Sequence, residues 1–304
     1  HKGSPGIERW TRAQDTTRSC AIIGSLRAAA DRAAIFDLAK ERAMQVSERR
    51  KRLKDHFAGD RCVRPASVFD PISARLADAL GFEFGMLGGS VASATVVGAP
   101  DLAVITLSEL AEQCHRVTRA SELSFMVDAD HGYGNALNVK RTVEELESAG
   151  VSALTIEDTV LPRQFGTGET ALISIEEGVG KMKAALSGRQ DPSLVVAGRS
   201  SALSVTGVED AIRRTKAYEA AGVDAMFLSG ATTKAEVEAV RAEVKIPLML
   251  GGAGGELSDR AFLSANGVRI ALQGHLSFSA SVKAIYDTLK ALRDGVAPGD
   301  LTST

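Results

Sequence analysis

Cysteine, net charge and long apolar runs are all scarce in this chain. Its three cysteines, Cys20, Cys62 and Cys114, have no metal-ligand spacing and form no paired pattern. That excludes a disulfide framework and fits a reducing, cytoplasmic setting. Lys and Arg number 36 against 38 Asp and Glu, a net charge of −2. No global basic field therefore argues for a nucleic-acid partner. No apolar run approaches the roughly 20 residues of a membrane span. A G-x-S-x-G nucleophile elbow is also absent. What remains is ordinary globular composition, 44% hydrophobic and 24% charged, over 304 residues. That length buries a substantial core and fits one α/β barrel as well as two domains.

The most informative stretch is Ser124 to Asn135. An apolar run, Phe125 to Val127, breaks into Asp128, Asp130 and His131, then into Gly132 and Gly134. The run suits a buried parallel strand, and in parallel α/β folds the strand's C-terminal end faces the ligand. Glycines there allow sharp turns and close backbone approach. Two carboxylates one residue apart at such a mouth suit a hard cation held through oxygen and water. The alternative is a solvated Asp/Gly turn.

Residues 1–24 mix Gly, Ser, Pro, Arg and Thr without periodicity, and Leu26 to Phe57 is helical in composition. Its basic run, Arg49-Arg50-Lys51-Arg52, has interspersed acids and no aromatics. It reads as a solvated helix face rather than a nucleic-acid patch. From residue 66, short apolar runs alternate with helix-length segments. The runs are Ala66–Phe69, Phe84–Leu87, Leu102–Ile105, Phe125–Val127, Ala153–Ile156, Leu194–Ala197, Ala225–Leu228, Pro247–Leu250 and Arg269–Leu272. Helices are expected over 71–80, 137–149, 175–187, 208–221, 233–244 and 257–266, with Gly150, Gly222 and Gly267 as C-caps. Leu102–Ile105 follows Ala99-Pro100-Asp101 in a loop-like context, which leaves eight βα units. The expectation is an α/β protein: an extension and helical arm over 1–63, then a (β/α)8 TIM barrel over 64–304. An open doubly wound sheet normally has a G-x-G-x-x-G turn after its first strand, where this chain has Phe69-Asp70-Pro71.

In a barrel the strand ends line one mouth. In order they are Asp70, Gly88-Gly89-Ser90, Asp128 and Asp130, Glu157-Asp158, Arg199, Ser229-Gly230, Gly251-Gly252 and Gly274-His275. Acids on neighbouring strands, an arginine across the mouth and a Gly-Gly-Ser nest suit a small doubly anionic substrate chelated to a metal. None of the three cysteines falls at a strand end of this mouth, and no lysine is placed for a Schiff base. His56 and His115 read as surface residues, and His131 turns away with its loop.

Several of these motifs are shared with a known group. Ser67-Val68-Phe69-Asp70, Gly88-Gly89-Ser90, the run Val127 to Gly134, Ile156-Glu157-Asp158 and Gly198-Arg199 resemble the phosphoenolpyruvate mutase/isocitrate lyase superfamily. The resemblance spans about 64–302. It is strongest to the bacterial oxaloacetate decarboxylase branch, through Gly132 to Asn138 and Gly274-His275. The superfamily's C–C lyases carry a Lys-Lys-Cys-Gly-His type loop, and here no cysteine lies beyond Cys114. Ser200-Ser201 stand where Thr and a polar Asn or Asp are usual, and the family normally continues beyond the position of Thr304 with further helical sequence.

The resemblance implies a Mg²⁺ (or Mn²⁺) enzyme acting on an α-keto dicarboxylate. It implies Asp128 as direct metal ligand, with Asp101, Asp130 and Glu157 holding metal-bound waters. Gly89, Ser90, Arg199 and His275 bind substrate, and Arg199 and His275 take the catalytic roles. It also implies a homotetramer, a dimer of dimers, with the eighth helix exchanged within each dimer. The expected final helix, about 277–293, has apolar residues Phe278, Val282, Ile285, Leu289 and Leu292 at burial spacing. The implied activity is decarboxylation of oxaloacetate to pyruvate and CO₂. Cleavage of a substituted malate, as by methylisocitrate or dimethylmalate lyases, and a non-catalytic dicarboxylate-binding barrel are the alternatives.

Overall fold

The computed structural model describes residues 45–301 apart from Gln164 and Thr167. Eight parallel strands follow one another in chain order around a single sheet: β1 Ala66–Ser67, β2 Phe84–Leu87, β3 Ser124–Asp128, β4 Ala153–Glu157, β5 Val195–Ser200, β6 Ala225–Leu228, β7 Leu248–Leu250 and β8 Val268–Ala271. The sheet closes where Val63, on the way into β1, bridges Ile270 of β8. Val63 N–H donates to Arg269 O at 2.9 Å, and Ala271 N–H donates to Val63 O at 3.0 Å. All eight expected runs form strands. Leu102–Ile105 is loop.

Alternation along the strands builds two cores. Phe84, Met86, Met126, Val195, Ala197, Phe227, Met249 and Ile270 fill the barrel interior. The residues between them, such as Phe125, Val127, Leu154, Val196 and Leu248, pack outward under the helices. Those helices are α1 over 45–58, α2 Pro71–Ala79, α3 Leu107–Thr118, α4 Ala136–Ser148, α5 Ile175–Gly188, α6 Val208–Ala221, α7 Lys234–Glu243, α8 Arg260–Ala265 and α9 Leu276–Arg293. The glycines at 150, 222 and 267 all have positive φ, as left-handed helix ends require.

Helix α1 closes the barrel floor, and its basic residues explain why. Leu53 and Phe57 insert into the interior core, each worth roughly 1.5–3 kcal/mol of apolar burial. Around them, Arg50 donates to the Val151 carbonyl and to Asp191, Arg49 pairs with Glu122, and Arg52 reaches Ser124 Oγ. The expected solvated face holds for Lys51, which is exposed and pairs with Asp55 on the same helix, whereas Arg49, Arg50 and Arg52 tie α1 to the loops at the barrel floor. His56 likewise leaves the surface: its ring lies 4.8 Å from Phe84, and Nε2 meets the Arg269 carbonyl. The rest of the expected arm, residues 26–44, lies outside the described residues.

Helix α9 behaves differently from the others. None of its residues is buried, and Leu276, Ile285, Tyr286 and Leu289 are 59–75% exposed. Beside it, Ala66, Phe69, Ile72, Leu76, Leu80 and Phe82 line an apolar groove of about 640 Å³.

Candidate active site

The site follows from strand parity. On β3, β4 and β5 the inward residues are Asp128, Thr155, Glu157 and Arg199, in register because Asp128 pairs with Thr155 and Glu157 with Arg199. Arg199 Nη1 donates to Asp128 Oδ2, and Arg199 Nε lies 3.8 Å from Glu157 Oε2. The guanidinium stands over the Phe227 ring, 5.1 Å from its centroid. That stacking suits a weakly hydrated planar cation. Thr155 Oγ1 donates to Asp128 Oδ1 at 3.0 Å and Thr159 Oγ1 to Glu157 Oε2 at 2.7 Å.

After Asp128 the chain winds through left-handed conformations at Asp130, Gly132 and Tyr133. A Cβ on Gly132 would sit 2.4 Å from Val139 Cγ2, so the turn admits only glycine. Asn135 then caps α4, accepting from Leu137 N–H at 2.9 Å. The Gly132-to-Asn138 motif is therefore a tight turn locked to a helix start, and it brings Asp130 back beside Asp128. Asp130 N–H donates to Asp128 Oδ1 at 3.3 Å. Across from it, Gly88 begins a short helical turn, Gly89–Ala92, whose first N–H groups have no intrahelical acceptor. A Cβ on Gly89 would stand 2.6 Å from Asp130 Oδ1.

Charge in this mouth is unbalanced. Asp128, Asp130, Glu157 and, from the rim, Asp101 face the Arg199 guanidinium, with Arg163 acting on Asp101 from the β4–α5 loop. Burial, then repulsion from Asp128, Glu157 and Asp101, pushes the Asp130 carboxyl up to about 8. Burial raises Glu157 against the pull of Arg199, and burial together with Asp128 raises Asp101. Carboxylates that crowd one another toward protonation are the donor set a hard divalent cation relieves. Among the described residues no three His, Cys, Asp or Glu side chains converge as a ready ligand cage. The donors therefore fit a cation that keeps much of its water, with few direct protein ligands.

His275 completes the mouth. It follows Gly274, whose φ of 75° turns the chain back over the barrel. Its ring lies against Gly88, where a Cβ would meet Cε1 at 2.6 Å and Nε2 at 2.7 Å. Burial lowers its pKa, outweighing the opposing effect of Asp128 and Asp101.

The structure thus brings Gly89, Asp101, Asp128, Asp130, Glu157, Arg199 and His275 to one opening, with Ser90 in the adjoining turn. Two other strand-end acids do not point there. Asp70 caps α2 through Ser73 N–H at 2.7 Å. Asp158, one residue out of phase with Glu157, faces the outer layer and accepts from Arg214 at 3.0 Å and Tyr218 Oη at 2.9 Å. His131 also leaves the cluster. Its ring packs 5.9 Å from that of Tyr133, and burial and Lys181 lower its pKa to about 4. Thr155, Thr159 and Phe227 do not figure in the sequence reading, and Ser67 figures there only as part of a motif, without a role. Period-two alternation back from Glu157 and forward from Ala225 marks Thr155 and Phe227. For Ser67 and Thr159 only the fold supplies the signal.

Comparison with known proteins agrees with this fold. Residues 54–293 match the family model for phosphoenolpyruvate phosphomutase. The oxaloacetate decarboxylases of Bradyrhizobium diazoefficiens and Rhodopseudomonas palustris (strain BisB18) are each 57% identical, aligning over 84% and 83% of this chain and 88% of their own lengths. Among solved structures, oxaloacetate acetylhydrolase with 3,3-difluorooxalacetate superposes with a TM-score of 0.75 at 27% identity, covering 84% of this chain and 91% of that one. Phosphonopyruvate hydrolase with oxalate and Mg²⁺ does so at 0.73 and 29%, covering 84% and 91%. With that family match and the barrel mouth in place, the chain belongs to the phosphoenolpyruvate mutase/isocitrate lyase superfamily.

Proposed function

We propose that this chain decarboxylates oxaloacetate to pyruvate and CO₂ with Mg²⁺ or Mn²⁺. The observation that carries the reading is the cluster of mutually repelling carboxylates around Arg199 at the barrel mouth, with His275 across the opening. Relatives named oxaloacetate decarboxylase at 57% identity support it. Asp128 would hold the cation directly, and Asp101, Asp130 and Glu157 would hold its waters. The cation supplies Lewis-acid stabilisation of the charge that grows on the keto oxygen. Arg199 binds and orients a substrate carboxylate. Its planar guanidinium suits bidentate pairing with a carboxylate. The uncapped first turn at Gly89–Ser90 would offer backbone N–H groups to the substrate. The C3–C4 bond breaks, its electron pair moves into the enolate, CO₂ leaves, and C3 then takes a proton from water. His275 donates a hydrogen bond to the keto oxygen as charge develops there.

Cleavage of substituted malates fits less well. Among the described residues both cysteines, Cys62 and Cys114, are buried in the outer core rather than at the mouth. The test is pyruvate formation from oxaloacetate and from a panel of 2-alkylmalates, with and without Mg²⁺. Turnover of a malate and not of oxaloacetate would replace this reading. Metal-independent binding without turnover would make the chain a non-catalytic dicarboxylate binder.

For assembly, we infer a homotetramer built from helix-exchanging dimers. The unburied apolar residues of α9 and the adjacent apolar groove support it. A stripe of that size on a lone chain would be an exposed hydrophobic liability. No helix among the described residues is long and apolar enough to cross a membrane. The unpaired Cys62 and Cys114 favour a cytoplasmic location.

A further inference from the structure

The residue that orients His275 lies on the opposite side of the barrel seam. Ser67 is the last residue of β1, where parity points it inward. Its Oγ stands 2.7 Å from His275 Nδ1. Ser67 is itself fixed, because Ser277 Oγ, in the first turn of α9, donates to the Ser67 carbonyl at 2.9 Å. The two chain ends of the barrel, β1 and the β8–α9 turn, are tied together at this point. The other edge of the ring, Cε1 and Nε2, lies over Gly88, the strand-end position that faces the mouth.

A neutral imidazole has one N–H and one acceptor nitrogen, and the partner of one nitrogen decides the state of the other. Burial lowers the pKa of His275, which favours the neutral ring. Two arrangements then satisfy the 2.7 Å contact. If Nδ1 carried the proton it would donate to Ser67 Oγ, and the serine hydroxyl proton would need a second acceptor. Among the described residues that hydroxyl makes no other hydrogen bond. If the hydroxyl donates to Nδ1, every proton at the contact is used. Nε2 then carries the imidazole proton, on the edge turned to the mouth.

We propose that Ser67 is a positioning residue that donates to Nδ1 of His275 and so holds it as the neutral Nε2–H tautomer, presenting a hydrogen-bond donor to the substrate oxygen. The inference rests on the proposed decarboxylase reading only for what that donor meets. The tautomer itself is independent of substrate. It follows the logic by which catalytic histidines are set by a third group behind them.

The deciding measurement is a long-range ¹H–¹⁵N correlation spectrum of full-length protein labelled with ¹⁵N-histidine, at pH 7.5 without substrate. His275→Gln identifies the signal. The expected result is an Nε2–H pattern in wild type and in Ser67→Thr, which keeps the hydroxyl. In Ser67→Ala the pattern should shift toward an averaged or Nδ1–H one. An Nδ1–H pattern in wild type, or an unchanged pattern in Ser67→Ala, overturns the proposal whatever the enzyme acts on. Kinetics on oxaloacetate read the consequence. Ser67→Ala should lower kcat on the order of 10-fold with KM nearly held, as losing a ring-orienting partner does elsewhere, and Ser67→Thr should recover most of it. A shifted tautomer with unchanged kcat overturns the positioning role. Failure of wild type to turn over oxaloacetate counts against the decarboxylase reading alone, since the spectrum still decides the tautomer.

Discussion

Arg199→Ala separates two jobs that the guanidinium performs in one place. It offsets the carboxylates of Asp128 and Glu157, and it is proposed to bind substrate. The Arg199 and Asp128 side chains are only 19% and 11% exposed. Removing one partner of such a pair leaves the other without its counter-charge, which costs about 3 kcal/mol at the low end for buried pairs. For a domain of this size that lowers Tm on the order of 10 °C in EDTA. A divalent cation at the same carboxylates replaces the lost charge. At a concentration 100-fold above Kd it returns about 2.7 kcal/mol, so Mg²⁺ should stabilise the variant at least as much as wild type. Scanning fluorimetry with EDTA and with Mg²⁺ reads both terms, and calorimetric titration reads Mg²⁺ affinity without substrate. In kinetics the variant should show mainly a raised KM with a smaller drop in kcat, because the carboxylate that Arg199 binds is present in ground and transition states alike. An unchanged Tm in EDTA, or Mg²⁺ affinity at least 10-fold weaker than wild type, would refute the counter-charge argument.

Other substitutions test neighbouring parts. Glu157→Ala should weaken Mg²⁺ affinity roughly 10–100-fold without abolishing it, the loss typical of a group acting through water; calorimetric titration measures it. Arg50→Ala should cost about 3 kcal/mol, read by urea denaturation, because Arg50 is buried, donates to two carbonyls and pairs with Asp191. Arg61 binds Glu83 through two hydrogen bonds and holds its carboxyl below the ordinary glutamate value. A depressed carboxylate stabilises above its unfolded pKa and loses that contribution as pH falls through the folded one. Glu83→Gln should therefore lower stability slightly at pH 7, by less than about 1 kcal/mol for so exposed a pair, read as a small drop in Tm. The difference should vanish toward pH 3.

The fold was largely legible because strands and helices obey simple periods. Phe84–Leu87 and Ala225–Leu228 were read to the residue, since four apolar residues between polar turns admit little else. The site was legible where a strand ends on an inward position, as with Asp128, Glu157 and Arg199. It was misread where chemistry alone suggested a role. Asp70 and Asp158 are acids at strand ends, yet the first is drawn to a helix N-terminus and the second lies one step out of phase. Composition could not say that Arg49, Arg50 and Arg52 serve the barrel floor, because their acceptors lie about 70 to 140 residues away. The pairing of Ser67 with His275 was invisible for a similar reason: the two lie 208 residues apart, across the closure of the barrel.

The central claim is that a divalent cation at Asp128 makes this barrel a decarboxylase. The most direct measurement is the rate of pyruvate release from oxaloacetate by metal-stripped protein, before and after Mg²⁺ is added, compared with Asp128→Ala. The uncatalysed metal-promoted background is subtracted. The account predicts enzyme-dependent turnover restored by Mg²⁺ in wild type and none in Asp128→Ala. Near-normal turnover by Asp128→Ala, or turnover by wild type that EDTA does not suppress, would contradict it.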